Sequence, residues 1–389
     1  MEYDKNKMKF KDFIELKRGY DLPTKDRIEG NIPIISSSGV SGKHNIEKVK
    51  GPGVVTGRSG LIGSVYYESK DFCPLNTTLY VKNFKGNNPK YVYYFLKTMN
   101  LKNFQTGSSV PTLNRNHLDN IEVTIHEKNK QVQQIKVLDN IDKKIENNQK
   151  IIANLEELSQ TLFKRWFVDF EFPDENGNPY KSNGGEMIDS ELGMVPKGWN
   201  FEKLKLLIEN IKDNIRTKSL SQEDRYVPID LIPKRKLTFY DYKSSNEAKS
   251  SLIKFKKNDI LLGSMRVYFH RVSLAPFDGI TRNTVFTLRP RDERYLYYLL
   301  NAINKDDFIQ YAANNSKGST MPYAVWDGIL DEVTVLNPPL QYLIEFNSIV
   351  QKYFDISIIL LKQNRQLEDL RDTLLPKLMS GEIEIPDDI

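Results

Sequence analysis

The chain repeats itself, and no other feature limits its possible folds as tightly. Lys90-Tyr91-Val92-Tyr93-Tyr94-Phe95-Leu96 returns as Arg294-Tyr295-Leu296-Tyr297-Tyr298-Leu299-Leu300, an offset of 204. Gly107-Ser108-Ser109-Val110-Pro111 returns as Gly318-Ser319-Thr320-Met321-Pro322, an offset of 211. Asn154-Leu155-Glu156-Glu157-Leu158 with Thr161-Leu162 returns as Gln366-Leu367-Glu368-Asp369-Leu370 with Thr373-Leu374, an offset of 212. Three matches in one order with a slowly drifting offset imply a duplicated structural unit.

Charge follows the same period. Residues 1–128 hold 20 Lys+Arg against 13 Asp+Glu, a net +7, and residues 129–195 hold 8 against 12, a net −4. Residues 196–337 hold 23 against 17, a net +6, and residues 338–389 hold 5 against 9, a net −4. Each half is therefore a basic block followed by an acidic one, and basic blocks attract phosphate. In the first basic block Gly53-Val54-Val55-Thr56-Gly57 and Thr78-Leu79-Tyr80-Val81 read as strands bounded by turn residues. In the second, Asp259-Ile260-Leu261-Leu262-Gly263 and Asn283-Thr284-Val285-Phe286-Thr287-Leu288 hold the same places. The tyrosine-rich repeats predict a short helix packed on that sheet, with the aromatic rings in the core.

The acidic segments predict long helices. No Pro or Gly interrupts residues 129–166. Leu138, Ile141, Ile145, Asn148, Ile152, Leu155, Leu158 and Leu162 fall at three- and four-residue spacings, a coiled-coil seam. Phe346, Ile349, Tyr353, Ile356, Leu360, Gln363, Leu367, Leu370 and Leu374 form its counterpart. Asn148 and Gln363 place polar groups on the seam, where they can fix register. At about 1.5 Å per residue the first helix is roughly 55 Å long. A narrow seam on so long a helix needs a partner, and the other copy is the nearest. Phe170-Glu171-Phe172-Pro173-Asp174-Glu175-Asn176-Gly177-Asn178-Pro179-Tyr180 reads as a polar, turn-rich connector between the halves.

Catalytic signatures are missing. Asn337-Pro338-Pro339-Leu340 is similar to the adenine-methylating Asn/Asp-Pro-Pro-Tyr/Phe motif, but Leu340 stands where an aromatic ring would stack on a flipped base. No glycine-rich cofactor loop precedes it, so it reads as the turn from the second basic domain into its helix. There is no phosphate-binding Walker loop and no Asp…Glu-x-Lys nuclease cluster. His44, His117, His126 and His270 lack metal-ligand spacing. The single cysteine, Cys73, reads as a small buried residue and fits a reducing cytoplasm. No apolar run approaches the roughly 18 residues that span a bilayer, and the charged N-terminus is unlike a signal peptide.

Phe163-Lys164-Arg165-Trp166-Phe167-Val168-Asp169-Phe170, the connector through Lys181, and Ser190-Glu191-Leu192-Gly193-Met194-Val195-Pro196-Lys197-Gly198-Trp199 resemble the central conserved region of type I restriction-modification specificity (S) subunits. Leu374-Leu375-Pro376-Lys377-Leu378-Met379-Ser380-Gly381-Glu382-Ile383 resembles that family's second conserved end. The resemblance implies a non-catalytic subunit that reads a split double-stranded DNA target. It further implies that the chain seats two methylation (M) subunits, which carry S-adenosylmethionine and methylate adenine N6. Restriction (R) subunits would add ATP- and Mg-dependent translocation and cleavage. It implies no cofactor in this chain and no membrane partner.

The expected fold is α+β, with two mixed target-recognition domains (1–128 and 196–338). They are separated by a helix-and-connector segment (129–195) and a C-terminal helix (339–389), the helices forming an antiparallel coiled coil with a pseudo-two-fold internal repeat. Base contacts are expected from polar and basic side chains on loops. Arg58 and Ser59 follow the strand ending Thr56-Gly57, and Ser264 and Arg266 follow Leu262-Gly263. Ser108, Ser109, Ser319 and Thr320 sit in the repeated glycine loop, and Lys43, His44 and Arg282 are further candidates. Two other readings remain open from sequence: the recognition subunit of a system with fused methylation and cleavage subunits, and a coiled-coil adaptor that binds no DNA. The adaptor leaves the duplicated basic domains unexplained.

Overall fold

The computed structural model describes residues 5–106, 111–190, 193–249 and 251–385. The chain forms two compact units, Met1–Lys144 with Leu367–Ile389, and Ile145–Gln366. Each unit takes residues from both acidic segments. Four helices organise them: α1 (Pro89–Thr98), α2 (Lys128–Phe167), α3 (Leu296–Ile303) and α4 (Leu340–Ser380). Asn88 caps α1 by accepting the Lys90 N–H at 2.9 Å, with Pro89 at the first helical position. α4 continues through Pro376, which its spacing alone did not foretell.

The first unit is built on four antiparallel strands, β1 (Glu15–Arg18), β2 (Gly53–Gly57), β3 (Val65–Glu68) and β4 (Thr78–Asn83), in the order β1-β4-β2-β3. A second, three-stranded sheet joins Gly39–His44, Ile32–Ser36 and Cys73–Pro74. A third pairing sets Lys5–Lys9 antiparallel to Glu122–His126. Phe10, Phe13, Tyr91, Tyr94 and Leu138 fill the core together with Leu375, Leu378 and Met379 from the end of α4. Polar side chains tie the start of α2 to that end. The Gln134 amide donates to the Leu378 carbonyl at 2.7 Å. Asp142 accepts both the Tyr94 hydroxyl at 2.6 Å and Arg371 Nη1 at 2.9 Å.

The second unit repeats the plan. Strands β5 (Ile208–Asn210), β6 (Ile260–Gly263), β7 (Val272–Leu274) and β8 (Val285–Pro290) are antiparallel in the order β5-β8-β6-β7, position for position the order of the first unit. Asn200–Lys203 pairs with Thr334–Asn337 as Lys5–Lys9 pairs with Glu122–His126. The two units differ in the accessory sheet, which here has five strands.

Its core is an aromatic cluster. Phe163, Trp166 and Phe167 of α2 pack with Phe346 of α4 and with Trp199. The connector expected to be merely polar contributes to it. Phe172 is 1% exposed and stacks on Trp199 and Tyr180, with centroids 4.8 and 4.6 Å away. Only the turn beyond it, where the Asp174 carboxylate accepts the Asn176 and Asn178 N–H groups, is exposed polar chain.

The buried faces of the long helices run differently from the apolar spacing. Leu138, Ile145, Asn148 and Ile152 are buried, whereas Ile141, Leu155 and Leu162 are half-buried and Leu158 is 50% exposed. On α4 Ile349, Tyr353, Leu360, Gln363, Leu367 and Leu374 are half-buried, and Ile356 and Leu370 are 45% and 47% exposed. Leu158, Ile356 and Leu370 therefore leave the seam. The buried line of α4 is Phe346, Val350, Phe354, Ser357, Asn364, Leu375 and Leu378, mostly one residue later than expected. Ser357 and Asn364 are polar, so a scan for apolar residues slips to their neighbours. Asn148 Nδ2 donates to Gln363 Oε1 and Asn364 Oδ1, both at 2.8 Å.

Glu156 occupies the same buried line of α2, where its carboxylate accepts the Thr238 N–H at 2.8 Å and the Thr238 hydroxyl at 2.5 Å. Burial pushes its carboxyl up from the ordinary value of 4.5, against the opposing pull of the Thr238 bonds and Lys236. A carboxyl raised on folding contributes stability below its unfolded value that is lost as pH rises through the folded value. The chain is therefore expected to unfold at lower urea as pH climbs from 4.5 through that window. Glu156→Gln should flatten that part of the profile. Urea midpoints of both proteins across the window check this, and parallel profiles would refute it.

Candidate nucleic-acid interface

In the first unit the turn after β2 is fixed by its backbone. The Arg58 N–H donates to the Thr77 carbonyl and the Leu113 N–H to the Arg58 carbonyl, both at 2.8 Å. Ser59 bridges to Thr112. Gly57 has no room for a side chain, since a Cβ would lie 1.9 Å from the Leu61 carbonyl oxygen, and Gly60 adopts φ +77°. Arg58 and Ser59 are thus held beside the hairpin of Gln105–Thr106 and Thr112–Leu113. Ser108 and Ser109 lie outside the described residues. Arg58 is half-buried, and among the described residues its guanidinium meets no carboxylate.

The turn after β6 is built alike. The Ala324 N–H donates to the Ser264 carbonyl at 2.9 Å, as Leu113 does to Arg58. Met265 bridges to Tyr323, as Ser59 does to Thr112. The Arg266 N–H donates to the Pro322 carbonyl at 2.7 Å. Lys317 and Tyr323 exchange backbone bonds of 2.9 Å, closing a loop that exposes Ser319 and Thr320. Arg266, Ser319 and Thr320 therefore share one surface.

This geometry corrects the pairing of the arginines. Arg58 corresponds to Ser264, and Arg266, with φ +48°, corresponds to Gly60. Each unit offers an arginine on the same turn, two residues apart. Ser264 is no surface reader: it is 5% exposed, and its N–H and hydroxyl both donate to the Thr284 carbonyl at 2.9 and 2.8 Å. His44 is likewise structural, 5% exposed with Nδ1 accepting the Ile28 N–H at 3.1 Å. Lys43 and Arg282 are exposed on the accessory sheets of their units. Lys317, exposed at the foot of the loop, was overlooked although it directly precedes the repeated glycine.

Asn337 has a structural task, accepting the Tyr295 hydroxyl at 2.7 Å where the second unit hands over to α4. Among the described residues no group of three His, Cys, Asp or Glu side chains converges as metal ligands. Among them, too, no helix is long and apolar enough to cross a membrane.

Comparison with known proteins agrees with this layout. Residues 2–157 match the family described as type I restriction modification DNA specificity domain. The type I restriction enzyme MjaIX specificity subunit of Methanocaldococcus jannaschii is 29% identical over 320 residues, 76% of this chain and 69% of that protein. The HindI specificity subunit of Haemophilus influenzae is 21% identical over 333 residues, 71% of this chain and 72% of that protein. The crystal structure of the type I restriction-modification S subunit from M. genitalium shares the fold, with a TM-score of 0.61 at 15% identity over 97% of each chain. The chain is thus similar to type I restriction-modification specificity subunits over most of its length, matches their DNA specificity domain over residues 2–157, and shares the α+β fold of one of them.

Proposed function

We propose that the chain reads a bipartite DNA sequence, one half-site for each basic domain (1–128 and 196–338). The segments 129–195 and 339–389 pair as an antiparallel coiled coil that sets the half-site spacing and gives the chain a pseudo-two-fold axis. That symmetry offers equivalent seats to two M subunits. S-adenosylmethionine, ATP and Mg act in the partner M and R subunits of a cytoplasmic complex. The observation that carries the reading is the repeated turn: in both units the strand leads into a backbone-locked loop with an arginine free of carboxylate partners among the described residues. Arginine can grip guanine through two acceptors at once. Asn148 bonds to Gln363 and Asn364, while Trp166, later on α2, packs on Phe346, earlier on α4, and the opposite trends support antiparallel pairing.

Arg58→Ala is expected to cost about 1–3 kcal/mol at one half-site only, and Arg266→Ala the same at the other. Binding assays with each half-site scrambled in turn measure it. If both variants weaken every sequence equally, the arginines hold phosphate. Affinity should also fall steeply with salt, with a log–log slope near 0.9 per phosphate contact. A flat slope between low and moderate salt would remove phosphate attraction as the main force.

A further inference from the structure

Two turns of the second unit meet without an acidic side chain in either. They are Ser264-Met265-Arg266-Val267-Tyr268-Phe269-His270 and Lys317-Gly318-Ser319-Thr320-Met321-Pro322-Tyr323-Ala324. Backbone bonds from Arg266 to Pro322 and from Ala324 to Ser264 lock them together. On them Tyr268, Met321 and Tyr323 are 52%, 53% and 46% exposed. Single exposed apolar residues need no explanation, but three on two interlocked turns form a patch.

The patch has a cationic surround. Arg266 and Lys317 are exposed and meet no carboxylate among the described residues. Lys234 Nζ lies 3.9 Å from the centre of the Phe269 ring, next to Tyr268. The nearby Asp306 is engaged by Arg235 at 2.9 Å and by His270 at 3.3 Å. Arg266 also keeps a left-handed backbone, φ +48°, where the first unit has glycine. A non-glycine residue persists in that region only where its surroundings hold it, as at binding sites.

Exposed apolar side chains on two interlocked turns that also carry Arg266 and Lys317 fit a polyanion that presents apolar handles. In the DNA major groove that handle is the thymine 5-methyl group. We propose that Tyr268, Met321 and Tyr323 form an apolar reading patch that selects thymine through its methyl group in the half-site taken by the second unit. This rests on the DNA-reading function proposed above.

The test uses the full chain in its methylating complex and duplexes carrying the target found by methylation mapping. Each thymine of either half-site is replaced in turn by uracil, which lacks only the methyl group. Uracil in the second half-site should weaken binding about 4-fold per methyl contacted, the value of one buried carbon. The triple variant Tyr268→Ala, Met321→Ala, Tyr323→Ala should lose that penalty while keeping any penalty in the first half-site. Its unfolding midpoint should match the parent, because all three side chains are half-exposed. No uracil penalty in the second half-site overturns the proposal, and so does a penalty that survives the triple variant. A complex that discriminates no sequence at all overturns the DNA-reading function as well, so the two failures are distinct.

Discussion

Phe346→Ala should remove about 3–5 kcal/mol of stability, the usual cost of a large cavity in a packed core. Phe346 is fully buried, and its ring centroid lies 5.0, 6.0 and 6.3 Å from those of Phe167, Trp166 and Phe163. The loss is therefore of two kinds, the transfer of a ring out of water and the edge-to-face contacts with its neighbours. Native stabilities are only about 5–15 kcal/mol, so the second unit should lose much of its folded population. Urea unfolding followed by tryptophan fluorescence reports the change directly, since Trp166 and Trp199 belong to the same cluster. Phe346→Leu, which leaves a smaller cavity, should fall between the two proteins. A loss below about 1 kcal/mol for the alanine variant would mean that this cluster is not packed as described.

Leu138→Asp should be comparably damaging and for a different reason. Leu138 is fully buried in the core shared by α1, the start of α2 and the end of α4. A carboxylate there loses its water in an apolar core, which costs several kcal/mol. Leu370→Asp is the matching control. Leu370 belongs to the same apolar spacing, yet it is 47% exposed, so its replacement should change stability by less than about 1 kcal/mol. Thermal and urea unfolding of the two variants decide which register of the helices is buried. Equal damage from both would restore the line predicted from apolar spacing alone.

The duplication was legible because it is written in residue order, which needs no coordinates. The tyrosine repeats mark α1 and α3, and the strands before each candidate turn fall where Val, Ile and Leu runs predict them. The antiparallel sheet that repeats its strand order was not foreseen. Its edge strands β1 and β5 follow one-turn helices, Phe10–Phe13 and Leu204–Leu207, whose resemblance is too short to register as a repeat.

The candidate site was half legible. Arg58, Arg266, Ser319 and Thr320 were reached from their place after strands and in a repeated glycine loop. Ser264 and His44 have the right chemistry for base reading, but backbone partners from distant sequence use it up. The interlocking of residues 264–266 with 322–324 depends on contacts nearly 60 residues apart, and no local rule contains them.

Composition and periodicity by themselves determined what each segment is: two basic strand-rich blocks, two long helices without glycine at their centres, and a repeat relating them. Hydrophobic periodicity and charge are local properties, so a single chain displays them. Only the tertiary structure decided which face of each helix is buried, which polar groups are spent and which arginines remain available. Those outcomes depend on partners far along the chain. Asn148 sits on the buried line where Gln363 and Asn364 accept from its Nδ2, and Glu156 where Thr238 donates to its carboxylate. A buried polar group survives only where a partner meets it, and that partner is known only once the chain has folded.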